Sequence, residues 1–250
     1  MDLFLETCSH NPKIDWLIFT DIKYKKNHPD NIKFINMSRV KFCKLIRKQA
    51  KCKFAINFNP YYKPCDMRPL YGDIFKDYIK EYRFWGHCDI DVFWGDIVAF
   101  MDENILSKYD VISADPRRIC GPFTIYRNIP KINELYKLKA DYKIIIEDAH
   151  QFFKFDEIGM TALLKENSSN LGIRYLFKKL QEYSTSEGKE SCKWLNGKVI
   201  NWVSNEELMF FHFRQWKNFK INFKLSNEIK GWFIKETELI PIFDEHLTVK

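Results

Sequence analysis

The sequence predicts an α/β fold, a Rossmann-like, mostly parallel central sheet flanked by helices, and three observations lead there. Short apolar runs ending in polar residues alternate with stretches of helical periodicity, the pattern of parallel strands joined by helical crossovers. The composition supports a large core: of 250 residues, 46% are hydrophobic and 16% aromatic. A globule of this length buries roughly three quarters of the surface its unfolded chain exposes. Third, Asp89 and Asp91 follow an aromatic run at an expected strand end, where open parallel sheets place their ligands.

Ile14 to Asp21 reads as a buried strand and Asn31 to Asn36 as a second. Ser38 is a helix N-cap, and the helix it opens, through Lys51, sets Lys41, Lys44, Lys48 and Lys51 on one face. A helix over Leu70 to Glu81 leads into the strand before Asp89. Another is expected over Asp96 to Leu106, then a strand over Tyr109 to Ser113. Gly121-Pro122 is a turn opening a strand that runs to Asn128. Helices are expected over Ile129 to Lys139, Asp156 to Lys165 and Gly172 to Tyr183. A polar loop over Ser184 to Lys193 and strands near Val199 to Val203 and Leu208 to Phe213 complete the chain.

Several classes are excluded. The aromatic content is that of an ordered protein rather than a disordered one. The seven cysteines are scattered and form no Cys-x-x-Cys pair, which argues against a disulfide framework and a zinc site and for a reducing cytoplasm. No apolar run approaches a membrane span, and the first residues, with Asp2 and Glu6, lack a signal peptide's basic start and apolar centre. A soluble cytoplasmic protein is expected. The formal net charge of +7 is concentrated in the Ser38 to Lys51 helix. That helix face is either simply solvated or a peripheral contact with the anionic inner face of a membrane. No binding motif accompanies the charge, so nucleic acid is not expected as a partner.

Strand side chains alternate faces, so Asp89 and Asp91 share one if Ile90 packs behind them. Two carboxylates so placed suit Mg²⁺ or Mn²⁺, hard cations that take oxygen ligands and leave positions for substrate phosphates. Two solvated aspartates in a turn are the plain alternative.

The block Phe84-Trp85-Gly86-His87-Cys88-Asp89-Ile90-Asp91, continuing to Asp96, resembles a Trp-Gly-x-Cys-Asp-x-Asp signature of bacterial and viral glycosyltransferases of the GT-A type, including those of capsular and surface polysaccharides. Other blocks agree in order: Ile18 to Asp21, Lys63 to Gly72, Tyr109 to Ser113, Gly121 to Asn128, Phe155 to Glu157 and His212 to Lys217. The resemblance covers most of the chain. It implies a single domain in which residues 1–183 bind the nucleotide sugar and 184–250 complete the site. The activity implied is transfer of a sugar from a nucleoside-diphosphate sugar, in the first instance a UDP-sugar, to a glycan or lipid-linked acceptor, with Asp89 and Asp91 holding a divalent metal on the diphosphate.

In the same resemblance His212 is a further metal ligand and Lys217 a phosphate contact, although their spacing differs slightly from the best-known version. A histidine packed in the aromatic run Phe210 to Phe213 is the alternative for His212. Asp156 and Glu157 are the candidate catalytic carboxylates, taking the acceptor's proton or orienting it; as residues that start a helix they also suit its dipole. Thr20, Asp21, Asp66 and Arg68 are carried over as donor-binding residues, and Arg117 and Arg118 are candidates for phosphate or acceptor. Family members begin with an extra strand and a glycine-containing turn ahead of the helix that here starts near Asp2. The expectation is therefore a sheet without that first strand and weak donor binding. Two other readings fit the same carboxylates: a nuclease or nucleotidyltransferase, and a non-catalytic nucleotide- or sugar-binding relative.

Overall fold

The computed structural model describes residues 1–59, 62–183, 192–201, 203–213, 220–235 and 238–243. Helix α1 (Asp2–Ser9) precedes β1 (Trp16–Thr20) and β2 (Ile32–Asn36), and α2 (Arg39–Ala50) follows. Ser38 caps α2, its hydroxyl accepting from the Lys41 amide at 3.2 Å. Then come β3 (Phe84–Cys88), β4 (Val92–Trp94), β5 (Val111–Ser113), β6 (Phe123–Arg127), α3 (Met160–Leu171), β7 (Tyr175–Phe177) and β8 (Gln181–Tyr183). The C-terminal part holds β9 (Cys192–Leu195), β10 (Lys198–Asn201), β11 (Glu206–Leu208), β12 (Phe210–His212), β13 (Lys220–Ile221), β14 (Gly231–Lys235) and β15 (Glu238–Ile242).

These strands form four sheets, which corrects the expected mostly parallel central sheet. The orders are β1-β2, β3-β6-β5-β7, β4-β12-β8 and β11-β10-β9-β14-β15-β13. Among the described residues, parallel pairing is confined to β1 with β2, β5 with β7, β8 with β12 and β13 with β15. Every other described ladder is antiparallel. Short connections account for several of the antiparallel pairs. A parallel pair needs a crossover of a dozen or more residues, whereas β5 and β6 are nine residues apart and β9 turns into β10 through Asn196-Gly197 alone. Both turn residues have positive φ, 47° and 81°, as a two-residue hairpin requires.

Other expectations are also adjusted. The helix expected over Gly172 to Tyr183 is two strands: Gly172 takes φ +58° and ends α3, and the β-favouring run Tyr175-Leu176-Phe177 pairs with β5. The helices expected over Leu70 to Glu81, Asp96 to Leu106 and Ile129 to Lys139 are broken into single turns. Of the expected loop over Ser184 to Lys193, residues 184–191 lie outside the described residues, and Cys192 and Lys193 begin β9.

Three packed apolar clusters hold these pieces together. One gathers α2, Trp85, Tyr126 and α3; a second joins Phe4, Trp16, Trp94 and Phe210; a third, around Trp194 and Trp232, belongs to the C-terminal sheet. Phe93 of β4 and Phe211 of β12 pack into the third cluster while Trp94 and Phe210 pack into the second. The β4-β12-β8 sheet is thereby covered on both faces, and it carries one wall of the candidate site. No described helix is long and apolar enough to cross a membrane.

Candidate metal centre

Asp89 and Asp91 occupy the bend that carries the chain from β3 into β4, strands of two different sheets. Both ends of the bend are fixed by the backbone. The Asp89 amide donates to the Pro122 carbonyl at 3.2 Å, extending the β3·β6 ladder, and the Phe213 amide donates to the Asp91 carbonyl at 2.8 Å, extending β4·β12. Ile90 points outward, 63% exposed, rather than packing behind the pair. The carboxylates converge because the chain bends, not because a straight strand alternates.

His212 arrives from the C-terminal part. Its register partner in the β4·β12 ladder is Val92, directly after Asp91. The His212 Nε2 atom lies 3.5 Å from Asp91 Oδ1 and 3.8 Å from Asp89 Oδ2, and the three ligand atoms all fall within 4.8 Å of one another. Neighbouring ligands of an octahedral Mg²⁺ at ~2.1 Å lie about 3.0 Å apart, so the imidazole separations of 3.5 and 3.8 Å bring the group near that geometry and a bound cation would draw the ligands closer. The donor set, two carboxylates and an imidazole, suits Mn²⁺ or Mg²⁺. The aspartate side chains keep a quarter of their surface exposed, so a cation has an entry path and room for further ligands.

Arg68 binds this group from behind. Its Nη2 is in direct contact with Asp89 Oδ1, and its Nη1 donates to Asp156 Oδ2 and to the Gly121 carbonyl, both at 3.0 Å. The same carbonyl lies 3.1 Å from His87 Nδ1, which fixes the proton on that nitrogen. Burial, aided by the Arg68 charge, holds the His87 pKa well below its ordinary value, so the ring is neutral. Gly121 also donates its amide to Glu157 Oε1 at 3.0 Å. A Cβ there would stand 2.8 Å from that oxygen and 3.0 Å from Arg68 Nη1, so a larger residue would have to displace the Glu157 and Arg68 side-chain ends. Glu157 Oε2 meets Arg118 at 3.4 Å, while Arg117 pairs with Asp115.

Asp156 and Glu157 lie in a π-helical turn, Phe155–Gly159, that leads into α3. They differ in access: Asp156 is 2% exposed and the Glu157 side chain 23%. Burial outweighs the Arg68 charge and, with Glu157 and Asp66 nearby, raises the Asp156 pKa to about 7. Asp66 is fully enclosed. It pairs with buried Lys63 at 3.1 Å and accepts the Phe153 and Phe155 amides at 3.0 and 2.9 Å, so its carboxylate holds the approach to the π turn.

Thr20 ends β1, its hydroxyl accepting from the Ile22 amide, and Asp21 is exposed; no described hydrogen bond or ion pair joins either to the Asp89 group. Lys217 lies outside the described residues. Cys65 and Cys88 flank Arg68 and Asp89, but burial pushes both thiols up to about 12, so neither is a ready nucleophile near neutral pH. Sequence reasoning did not single out His87 and Gly121. His87 carries the signal of standing two residues before Asp89, near the end of β3, whereas Gly121 reads in sequence only as a turn former.

Fold and site together define a mixed α/β protein in which two carboxylates and an imidazole are gathered at a bend between two sheets. Residues 1–242 match the family described as a family of unknown function (DUF6625), and the chain belongs to it. No curated protein and no solved structure matches the chain.

Proposed function

We propose that this protein is a metal-dependent glycosyltransferase that moves a sugar from a nucleoside-diphosphate sugar, in the first instance a UDP-sugar, to a glycan or lipid-linked acceptor. The observation that carries the proposal is the Asp89, Asp91 and His212 group, three ligand atoms within 4.8 Å, two from the fixed bend and one from β12, with the carboxylates partly open to solvent. The reaction class comes from the ordered blocks that resemble glycosyltransferases. A divalent cation bound by these residues supplies charge stabilisation for the leaving diphosphate, an effect on the order of several kcal/mol.

The remaining residues divide the work by their access. Glu157, partly exposed at the rim and oriented by the Gly121 amide and Arg118, is the carboxylate that meets the acceptor hydroxyl. Asp156, enclosed and bonded to Arg68, does not reach the acceptor. The Lys-rich face of α2 supports a peripheral contact with an anionic membrane surface, where a lipid-linked acceptor resides.

A thermal-shift and turnover screen of nucleotide sugars with and without Mn²⁺ tests the reading. Stabilisation by UDP that requires Mn²⁺, and Mn²⁺-dependent release of UDP from one sugar donor, are expected. Cleavage or extension of DNA or RNA would replace the reading with a nuclease or nucleotidyltransferase. Tight nucleotide binding without turnover would replace it with a non-catalytic binder.

A further inference from the structure

We infer that Arg68 is a positioning residue that sets the orientation of the Asp89 carboxylate, and that Asp156 and the Gly121 carbonyl hold Arg68 for that task. The inference rests on the reading of Asp89, Asp91 and His212 as a cation site. Its basis is the way the two oxygens of Asp89 are divided. Oδ1 is in contact with Arg68 Nη2, and Oδ2 faces His212 Nε2 at 3.8 Å. A carboxylate with one oxygen bonded to a fixed guanidinium turns the other toward the ligand group and cannot rotate freely. The guanidinium is itself fixed, because Nη1 bonds Asp156 Oδ2 and the Gly121 carbonyl, both at 3.0 Å, and the side chain is only 13% exposed. Gly121 is in turn held by Glu157 through its amide. The chain Gly121 and Asp156, then Arg68, then Asp89, is thus an outer shell of the kind that orients first ligands in metal sites.

Two opposing effects act on a cation here. The Arg68 charge repels it, and the ordering of Asp89 favours it. The repulsion is already partly offset, since the Arg68 guanidinium is bonded to Asp89 and Asp156. On this inference ordering outweighs the rest, and removal of Arg68 weakens metal binding rather than strengthening it.

The experiment is a calorimetric titration of the full chain with Mn²⁺. Outer-shell substitutions typically cost about 10- to 100-fold in metal affinity, and Arg68→Ala is expected to fall in that range. Arg68→Lys, which keeps the charge but cannot span both Asp89 and Asp156 with a planar fork, should not restore affinity. Millimolar guanidinium added to Arg68→Ala should, because it refills the space and both sets of bonds. Asp156→Ala, which releases one anchor, should lose affinity by a smaller factor and carries the test if Arg68→Ala does not fold. Affinity in Arg68→Ala equal to or tighter than in the unaltered protein would show Arg68 to be a competitor of the cation and overturn the inference. So would unaltered affinity in Asp156→Ala. If the unaltered protein itself binds no Mn²⁺, the cation-site reading fails and takes the inference with it; if it binds and the variants match it, only the inference fails.

Discussion

Asp89 and Asp91 sit one residue apart, yet the fold treats them differently. Asp91 meets only His212 among the described ion pairs, whereas Asp89 also bonds Arg68. Asp91→Asn is therefore expected to abolish Mn²⁺-dependent turnover while leaving the melting temperature nearly unchanged. Asp89→Asn should remove turnover too, and in addition lower stability by about 1–3 kcal/mol through the weakened partner of a largely buried guanidinium, as read by urea unfolding. His212→Ala should raise the Mn²⁺ requirement; a lower melting temperature with no change in that requirement would make His212 a core residue. Asp156 offers a further residue-level check through pH. Its pKa is raised by burial from 3.8 to about 7, so the folded state binds the extra proton between those values and stability falls as pH rises through the window. The shift corresponds to a loss of up to about 4 kcal/mol above pH 7. Asp156→Asn should match the unaltered protein at pH 5 and exceed it at pH 8 in urea unfolding; identical curves at both would contradict the raised pKa. The aspartate pair was legible in sequence because its chemistry is local, and the resemblance supplied His212. The Arg68 bonds to Asp89 and Asp156, 21 and 88 residues away, were not, since only the folded chain brings them together.

Among elements, the short loops and tight turns carried the most misread information. Asn196-Gly197 is a strong hairpin signal, yet it falls between the loop expected over Ser184 to Lys193 and the strand expected near Val199 to Val203 and belongs to neither. β1, β2 and α2 were readable because each has an unbroken pattern and, for α2, a capping serine. The helix expected over Gly172 to Tyr183 failed because Gly172 had already ended one and the aromatic run found a strand to pair with. The π turn Phe155–Gly159 escapes any periodic reading, as its five-residue hydrogen bonding matches neither a helix nor a strand. Gly159 makes that turn possible: a Cβ there would stand 2.4 Å from the Phe155 ring. Gly159→Ala should cost about 1–3 kcal/mol by overpacking. Because Asp156 and Glu157 stand between Phe155 and Gly159, turnover should fall further than stability alone explains when assayed well below the melting temperature. Full activity in a destabilised Gly159→Ala would show that the turn's geometry does not matter to the site.

For the molecule as a whole, the question is where its excess positive charge is left uncompensated. Several cations elsewhere have carboxylate partners: Arg68 with Asp89 and Asp156, Arg83 with Glu103, Arg127 with Asp110, Lys137 with Asp73 and Glu134. Scattered lysines such as Lys13, Lys76 and Lys108 are exposed without an ion pair among the described residues; only α2, with its C-cap, gathers four such lysines on one helix face. Lys41, Lys44, Lys48 and Lys51 are all exposed, make no ion pair among the described residues, and ride on or directly after a helix that contains no acidic residue. Arg39 and Arg47 of the same helix are occupied, donating to the Phe58 and Phe54 carbonyls, so the lysines are the part of the face left to solvent. Close to the start of α2 stand two exposed aliphatic side chains, Val40 and Ile22, the latter just beyond the end of β1, whose Thr20 carbonyl accepts from the Met37 amide. Cationic side chains edged by apolar ones suit an anionic bilayer surface, each lysine adding about 1 kcal/mol. Cosedimentation with vesicles containing phosphatidylglycerol should therefore retain the protein at low salt, release it as salt is raised, and show no retention on neutral phosphatidylcholine vesicles. Lys44→Glu combined with Lys48→Glu should reduce retention by at least tenfold without lowering the melting temperature, since neither side chain packs in the core. Equal retention of this double variant, or none by the unaltered protein, would mean that the α2 lysines are an ordinary solvated face and that the acceptor is met away from the membrane.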